Sequence, residues 1–143
     1  MILAVALRRD AKIELLKKVP LFAGCTKGEL RQLASIADEI ELREGTVLTR
    51  EGRIGHEFFV LIKGTVRVSK GERTLADLSG GDWLGEIALL TKTPRTATAT
   101  ATSAVDTLVI VDRNFRRVIE SMPSIALKVL TGVAERLGRD ARS

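Results

Sequence analysis

The run GEIALLTKTPRTATATAT, residues Gly85 to Thr102, sets one acid and one arginine at the two ends of a short glycine-to-proline segment. Glu86 follows the glycine, Arg95 follows Pro94, and Ile87, Ala88, Leu89 and Leu90 lie between them. Charges flanked by apolar residues are not ordinary surface decoration, so the pair predicts an object held between them. The Thr/Ala alternation that follows has a period of two with β-branched residues on one face, which is a strand pattern. The segment therefore reads as a helical turn and loop spliced between strands.

Working outward, the surroundings are β-rich. From Ile40 to Val111 the runs EIELRE, TVLTR, EFFVLI, TVRVS and RTLADL are separated by Gly45, Gly52, Gly55, Gly64, Gly71, Gly80 and Gly81. Short strands with turn signals at such intervals predict a sandwich or barrel. On the N-terminal side, residues 1–39 read as helical. Met1 to Leu7 starts a helix, Ile13, Leu15 and Leu16 continue it, and Pro20 stops it. Thr26-Lys-Gly-Glu29 then forms a capping box, which opens a second helix ending near Asp38. On the C-terminal side, Asp112 reads as the N-cap of a helix over 113–121 and Pro123 as the start of a last one. In that last helix Ile125, Val129, Leu130, Val133, Ala134 and Leu137 predict one apolar stripe.

With 143 residues the chain suits one domain with a real core. No apolar run approaches the roughly 18 residues of a membrane span. Cys25 is the only cysteine, which fits a structural thiol in a reducing, cytoplasmic setting. His56 is the only histidine, so a multi-histidine metal site is not expected and no metal is assigned. The net charge of +5 is spread along the chain, which describes a solvated basic surface better than a nucleic-acid footprint.

The physical chemistry of Gly85–Thr98 narrows the object. The first amides of a helical turn have no acceptor within it and point at whatever precedes it. Gly85 allows close approach there. A helix N-terminus favours an anion by about 0.3–1 kcal/mol, and a charge-assisted contact from Arg95 adds about 1.5–3 kcal/mol. Together they make a seat for one phosphate. Glu86 would repel a phosphate, so it should grip a neutral donor, for which a sugar hydroxyl is the natural choice. One arginine and no Walker lysine motif suit a compact nucleotide with a single negative charge.

The string G-E-I-A-L-L followed by P-R-T-A-T resembles the phosphate-binding cassette of cyclic nucleotide-binding domains. Lys17-Lys-Val-Pro-Leu-Phe22, Gly45, Lys63-Gly64-Thr65-Val66, Gly81-Asp82-Trp83 and the stretch from Asp112 to Leu137 extend the resemblance over nearly the whole chain. It implies an α+β fold: a double-stranded β-helix, or jelly-roll-like β-roll, flanked by N-terminal helices and two C-terminal helices. Residues 1–143 would form a single domain, with N-terminal helices over 1–39, the roll over 40–111, the cassette at 85–98, and hinge and lid helices over 112–143.

The resemblance also implies roles. Glu86 would bind the ribose 2′-hydroxyl and Arg95 the cyclic phosphate, with the backbone of Gly85, Ile87 and Ala88 completing the seat. Thr96 matches a small hydroxyl residue that contacts phosphate or, in members selective for cGMP, the guanine amino group. The ligand is therefore cAMP, with cGMP left open. Arg136 matches a lid arginine that some bacterial members place over the base, or is an exposed helix arginine. Val68 is a base-facing residue or an ordinary core residue.

No nucleophile–base pair or metal cluster is legible, so sensing is expected rather than catalysis. Occupancy would be relayed through the C-terminal helices to a protein effector or an attached effector domain. A homodimer through Leu7, Ile13 and the Ile125–Leu137 stripe stays open against a core role for the same residues. Two other readings remain: a truncated DNA-binding transcription regulator, and a degenerate fold used for protein contacts. The first expects nucleic-acid binding from a helix-turn-helix that this chain alone does not carry. The second has no reason to keep both Glu86 and Arg95.

Overall fold

The computed structural model describes the backbone of residues 2–142 and the side chains of residues 9–138. Two compact units are present, one formed by Ala37–Phe115 and the other by Met1–Ile36 with Arg116–Ser143.

The first unit is the roll. Its strands are β1 (Asp38–Leu42), β2 (Val47–Thr49), β3 (Glu57–Lys63), β4 (Val66–Lys70), β5 (Arg73–Leu78), β6 (Trp83–Leu84), β7 (Thr98–Ala101) and β8 (Val105–Val111). They pair antiparallel in two four-stranded sheets, ordered β1-β8-β3-β6 and β2-β7-β4-β5. The first strand thus begins at Asp38, before the change of character at Ile40. Phe59, Leu61, Val66, Leu84, Ala99, Ala101, Val105 and Val109 form the core, and Leu42, Leu48, Val68 and Leu78 pack against it. The Thr/Ala run behaves as its period predicts. In β7 the small Ala99 and Ala101 are buried while Thr98 and Thr100 are half-buried on the other face.

β3 and β8 do not alternate. Phe58, Val60, Leu108 and Ile110 are buried along with their core-facing neighbours, so both strands read as continuous apolar runs. Phe58 is covered within this unit by Phe115, whose ring centroid lies 4.6 Å away. Burying such a ring contributes roughly 1.5–3 kcal/mol. The turn between β3 and β4 requires glycine: Gly64 has φ +93°, and a Cβ there would lie 2.2 Å from the carbonyl oxygen of Ala104.

The second unit is helical. It contains α1 (Ile2–Lys17), a single 3₁₀ turn (Pro20–Phe22), α2 (Lys27–Ile36), α5 (Pro123–Arg142) and the Arg116–Ser121 part of α4 (Asp112–Ser121); α3 (Glu86–Thr91) belongs to the roll. The capping box forms as expected: Glu29 N–H donates to Thr26 Oγ1 at 3.1 Å, and Thr26 N–H to the Glu29 carboxylate at 2.9 Å. α2 stops at Ile36, before Asp38, because the next residues join the sheet. Leu16, Leu21, Phe22, Leu33, Met122, Ile125 and Val129 are buried. Lys128 donates to the Pro20 carbonyl at 2.8 Å, and Ser124 lies close to Gly24 and Cys25, so α5 is tied to the 3₁₀ turn. Burial raises the Cys25 thiol above its ordinary pKa, as befits an inert structural cysteine.

The stripe on α5 is not single. Ile125 and Val129 are buried, but Leu130 and Leu137 are 64% and 61% exposed and Ala134 is exposed too. Leu130 is about 100° of helical rotation past Val129, enough to turn it off the buried face. Ile13 is half-buried, and Leu7 lies outside the described side chains. Asp112 also departs from expectation, being the first residue of α4 rather than the cap before it, with its N–H donated to the His56 carbonyl at 2.6 Å.

Replacing Thr26 by Ala removes an N-cap acceptor and should lower unfolding stability by about 1 kcal/mol, with Thr26→Ser close to wild type. Gly64→Ala should be the more damaging change, because it meets backbone and not a movable side chain. Chemical denaturation of the three variants checks the order.

Candidate ligand-binding site

β6 ends at Leu84, and the chain turns into α3 through Gly85, whose φ of 99° is left-handed. A Cβ there would lie 2.7 Å from the Glu57 carbonyl oxygen and 3.0 Å from Arg95 Nη1, so the glycine is required both for its conformation and for space. Ala88 and Leu89 anchor the turn by burial, and Lys92, with φ 57°, ends it by donating to the Ala88 carbonyl. The turn is six residues long, too short to stand without these anchors. Glu86 is only 1% exposed.

Arg95 is 5% exposed. Its Nη1 donates to the Gly85 carbonyl at 3.0 Å and its Nη2 to the Glu57 carbonyl at 2.8 Å. Nη2 also contacts the Glu57 carboxylate at 3.4 Å. Beneath the guanidinium lies Gly55, where a Cβ would come within 2.0 Å of Nε. The main chain is fixed as well: Arg95 N–H donates to the Arg53 carbonyl and the Arg95 carbonyl accepts from Gly52 N–H, each at 2.9 Å. Of the five guanidinium N–H donors, Nε–H and one Nη1–H have no acceptor among the described residues.

Burial pushes the Arg95 pKa below the ordinary arginine value, while the charges of Glu57, Glu86 and Asp112 oppose that shift. The group stays protonated in any case. Glu86 and Arg95 are thus both buried, as the sequence expects of each, and the charge of Glu86 acts on Arg95. A cavity of about 270 Å³ opens against Arg95, lined also by Arg50, Arg53, Gly55, His56 and Glu57. It is lined by the arginine and not by Glu86, so it lies on the side of Arg95 that faces β2 and the loop before β3. Among the described residues, no group of three or more His, Cys, Asp or Glu side chains is placed to hold a metal ion.

The remaining expected residues are scattered. Ile87 is half-buried on α3, and Thr96 is exposed in the bend after Arg95. Val68 is half-buried on β4, opposite Ala76 and Ala99, and packs on the roll core. Arg136 is half-buried on α5, in the helical unit.

Two contributors escaped the sequence reading, Gly55 and Glu57. Both belong to the seat of Arg95 only through contacts 38 to 40 positions away along the chain, which no local period encodes. A weak signal exists in the polar Glu57 that opens the otherwise apolar run of β3.

Known proteins resemble this arrangement over most of its length. The family model described as cyclic nucleotide-binding domain matches residues 39–122, which include the whole segment from Gly85 to Thr98. A cAMP-dependent protein kinase regulatory subunit of Mycosarcoma maydis is 36% identical over 142 residues, covering 93% of this chain and 26% of the relative. A putative potassium channel protein of Rhodopseudomonas palustris is 31% identical over 140 residues, covering 93% of this chain and 34% of the relative. The cAMP-bound solved structure of PfPKA-R (141–441) superposes with a TM-score of 0.82 at 25% identity, over 96% of this chain and 49% of the other. The chain spans between about a quarter and a third of the length of these two curated relatives. By sequence match and by fold, it belongs to the cyclic nucleotide-binding domain family.

Proposed function

We propose that the protein is a cyclic nucleotide sensor whose ligand is cAMP, with cGMP as the alternative, and that residues 1–143 work as one sensing domain. The observation that carries this reading is Arg95: a cation sunk to 5% exposure, fixed by two main-chain carbonyls and bordering a cavity, with two N–H donors that meet no acceptor among the described residues. An arginine built in this way is preorganised to receive an anion. Glu86, buried beside it, suits a ribose hydroxyl and disfavours a second negative group. The backbone of Gly85, Ile87 and Ala88 would complete the phosphate seat, with Thr96 at its edge and Val68 towards the base. The relatives support the ligand class, since two of those compared carry cAMP in their descriptions.

Function here is regulation and not catalysis. Ligand shifts a conformational equilibrium only by its differential affinity for the two states. Contacts of Arg136 on α5 with the bound base would supply that difference and reposition the C-terminal helices. The output is an effector protein, separate or joined in one longer polypeptide, as the kinase regulatory subunit and channel relatives suggest. The setting that belongs to this proposal is cytoplasmic, which a single cysteine suits. No contact with nucleic acid is part of this function.

Calorimetric titration with cAMP and cGMP should give saturable binding, and the absence of heat at high micromolar ligand would refute the proposal. Arg95→Ala should weaken cAMP by at least about tenfold, the equivalent of a charge-assisted hydrogen bond. Gly55→Ala should also weaken it, because the new methyl displaces the guanidinium without touching its charge. Arg136→Ala should lower affinity less, and should reduce the ligand-induced change in helix protection measured by hydrogen exchange. Binding that is indifferent to Arg95 and Gly55 alike would move the site elsewhere.

A further inference from the structure

Three carboxylates act on the single guanidinium of Arg95: Glu57, Glu86 and Asp112. Glu86 is buried at 1% exposure, and Asp112 sits on the first turn of α4. Glu57 differs from both. Its side chain is 43% exposed, and its Oε2 lies 3.4 Å from Arg95 Nη2. The same oxygen accepts from His56 N–H at 3.2 Å, which holds it beside the cavity against Arg95.

The carboxylate of Glu57 accepts from Nη2 only at 3.4 Å, the longest of the contacts that hold the guanidinium. The shorter ones come from two carbonyl oxygens, of Glu57 itself at 2.8 Å and of Gly85 at 3.0 Å, with the Gly55 backbone beneath. What the side chain adds is negative charge, placed at the open side of a cation that a ligand phosphate must approach. An incoming anion meets that charge as repulsion, and the repulsion grows with the charge of the anion.

We infer that Glu57 is a specificity-determining residue, a charge filter that favours a monoanionic cyclic phosphodiester over the dianionic phosphomonoester left when the ring is opened. The inference rests on the reading that a cyclic phosphate binds Arg95. A cyclic phosphodiester carries one negative charge, whereas a phosphomonoester carries about 1.5 to 2 at neutral pH. Discrimination by an unfavourable contact with the wrong ligand is an effective route to selectivity. Here the residue would lower affinity for the right ligand moderately and for its hydrolysis product more.

Glu57→Gln tests this, because it removes the charge and keeps the shape and the main-chain carbonyl. Dissociation constants for cAMP and for adenosine 5′-monophosphate are measured on both proteins at low salt, the monophosphate by displacement of cAMP. The variant should bind cAMP about two- to fivefold more tightly, the range of a half-exposed ion pair. The monophosphate should gain more, so that selectivity for the cyclic ligand falls, and both gains should shrink in high salt. Weaker or unchanged cAMP binding in the variant, or displacement by the monophosphate that gains no more than cAMP does, overturns the inference while leaving the site reading intact. Failure of the wild-type protein to bind cAMP at all overturns both.

Discussion

The structure is organised around a cation withdrawn from water. Leaving an arginine at 5% exposure would cost several kcal/mol if it were uncompensated. The compensation comes mainly from two main-chain carbonyls, with a carboxylate contact at longer range. Carbonyl oxygens are supplied by backbone geometry, so the burial of Arg95 constrains the path of two separate loops. The loop before β3 must pass under the guanidinium at Gly55, and the chain leaving β6 must turn left-handed at Gly85. Each glycine stands where a side chain would collide with the arginine or its carbonyl partner.

The roll serves this constraint. β6 and β8 pair on either side of β3, whose first residue contributes the Glu57 carbonyl, and the ladder between β3 and β6 fixes how near Gly85 comes to it. The narrow Ala99 and Ala101 on β7 sit in the core beside Val66 and Val68 of β4. The same strand presents Thr98 outward, where its hydroxyl accepts from Glu51 N–H in the loop that returns towards Arg95. A repetitive stretch that looks compositional is thus a device with one face for packing and one for holding the arginine loop.

Electrostatics add a second layer around the arginine. The charges of Glu57, Glu86 and Asp112 oppose the downward shift that burial imposes on Arg95. Asp112 gives this field a link to the first turn of α4, whose N–H is also bonded to the residue preceding Glu57. The start of a C-terminal helix is therefore anchored on the loop that also carries Gly55 and Glu57, the neighbours of Arg95.

Much of this was written in local patterns. The alternation at 98–101, the glycine punctuation, Pro20 and Pro123, and the capping box at Thr26 and Glu29 each state a backbone preference within a few residues. The inward placement of Glu86 and Arg95 was legible for the same reason, since two charges nine positions apart, each set beside apolar residues, point to an inward environment. Tertiary structure alone decided the rest. Packing between segments distant in the sequence made Gly55 and Glu57 the arginine's neighbours and buried both faces of β3 and β8, and within the helical unit Leu130 and Leu137 stand exposed on a helix whose sequence suggested one stripe. Period and propensity record which conformation a segment prefers, whereas the identity of its partner depends on where distant backbone comes to rest.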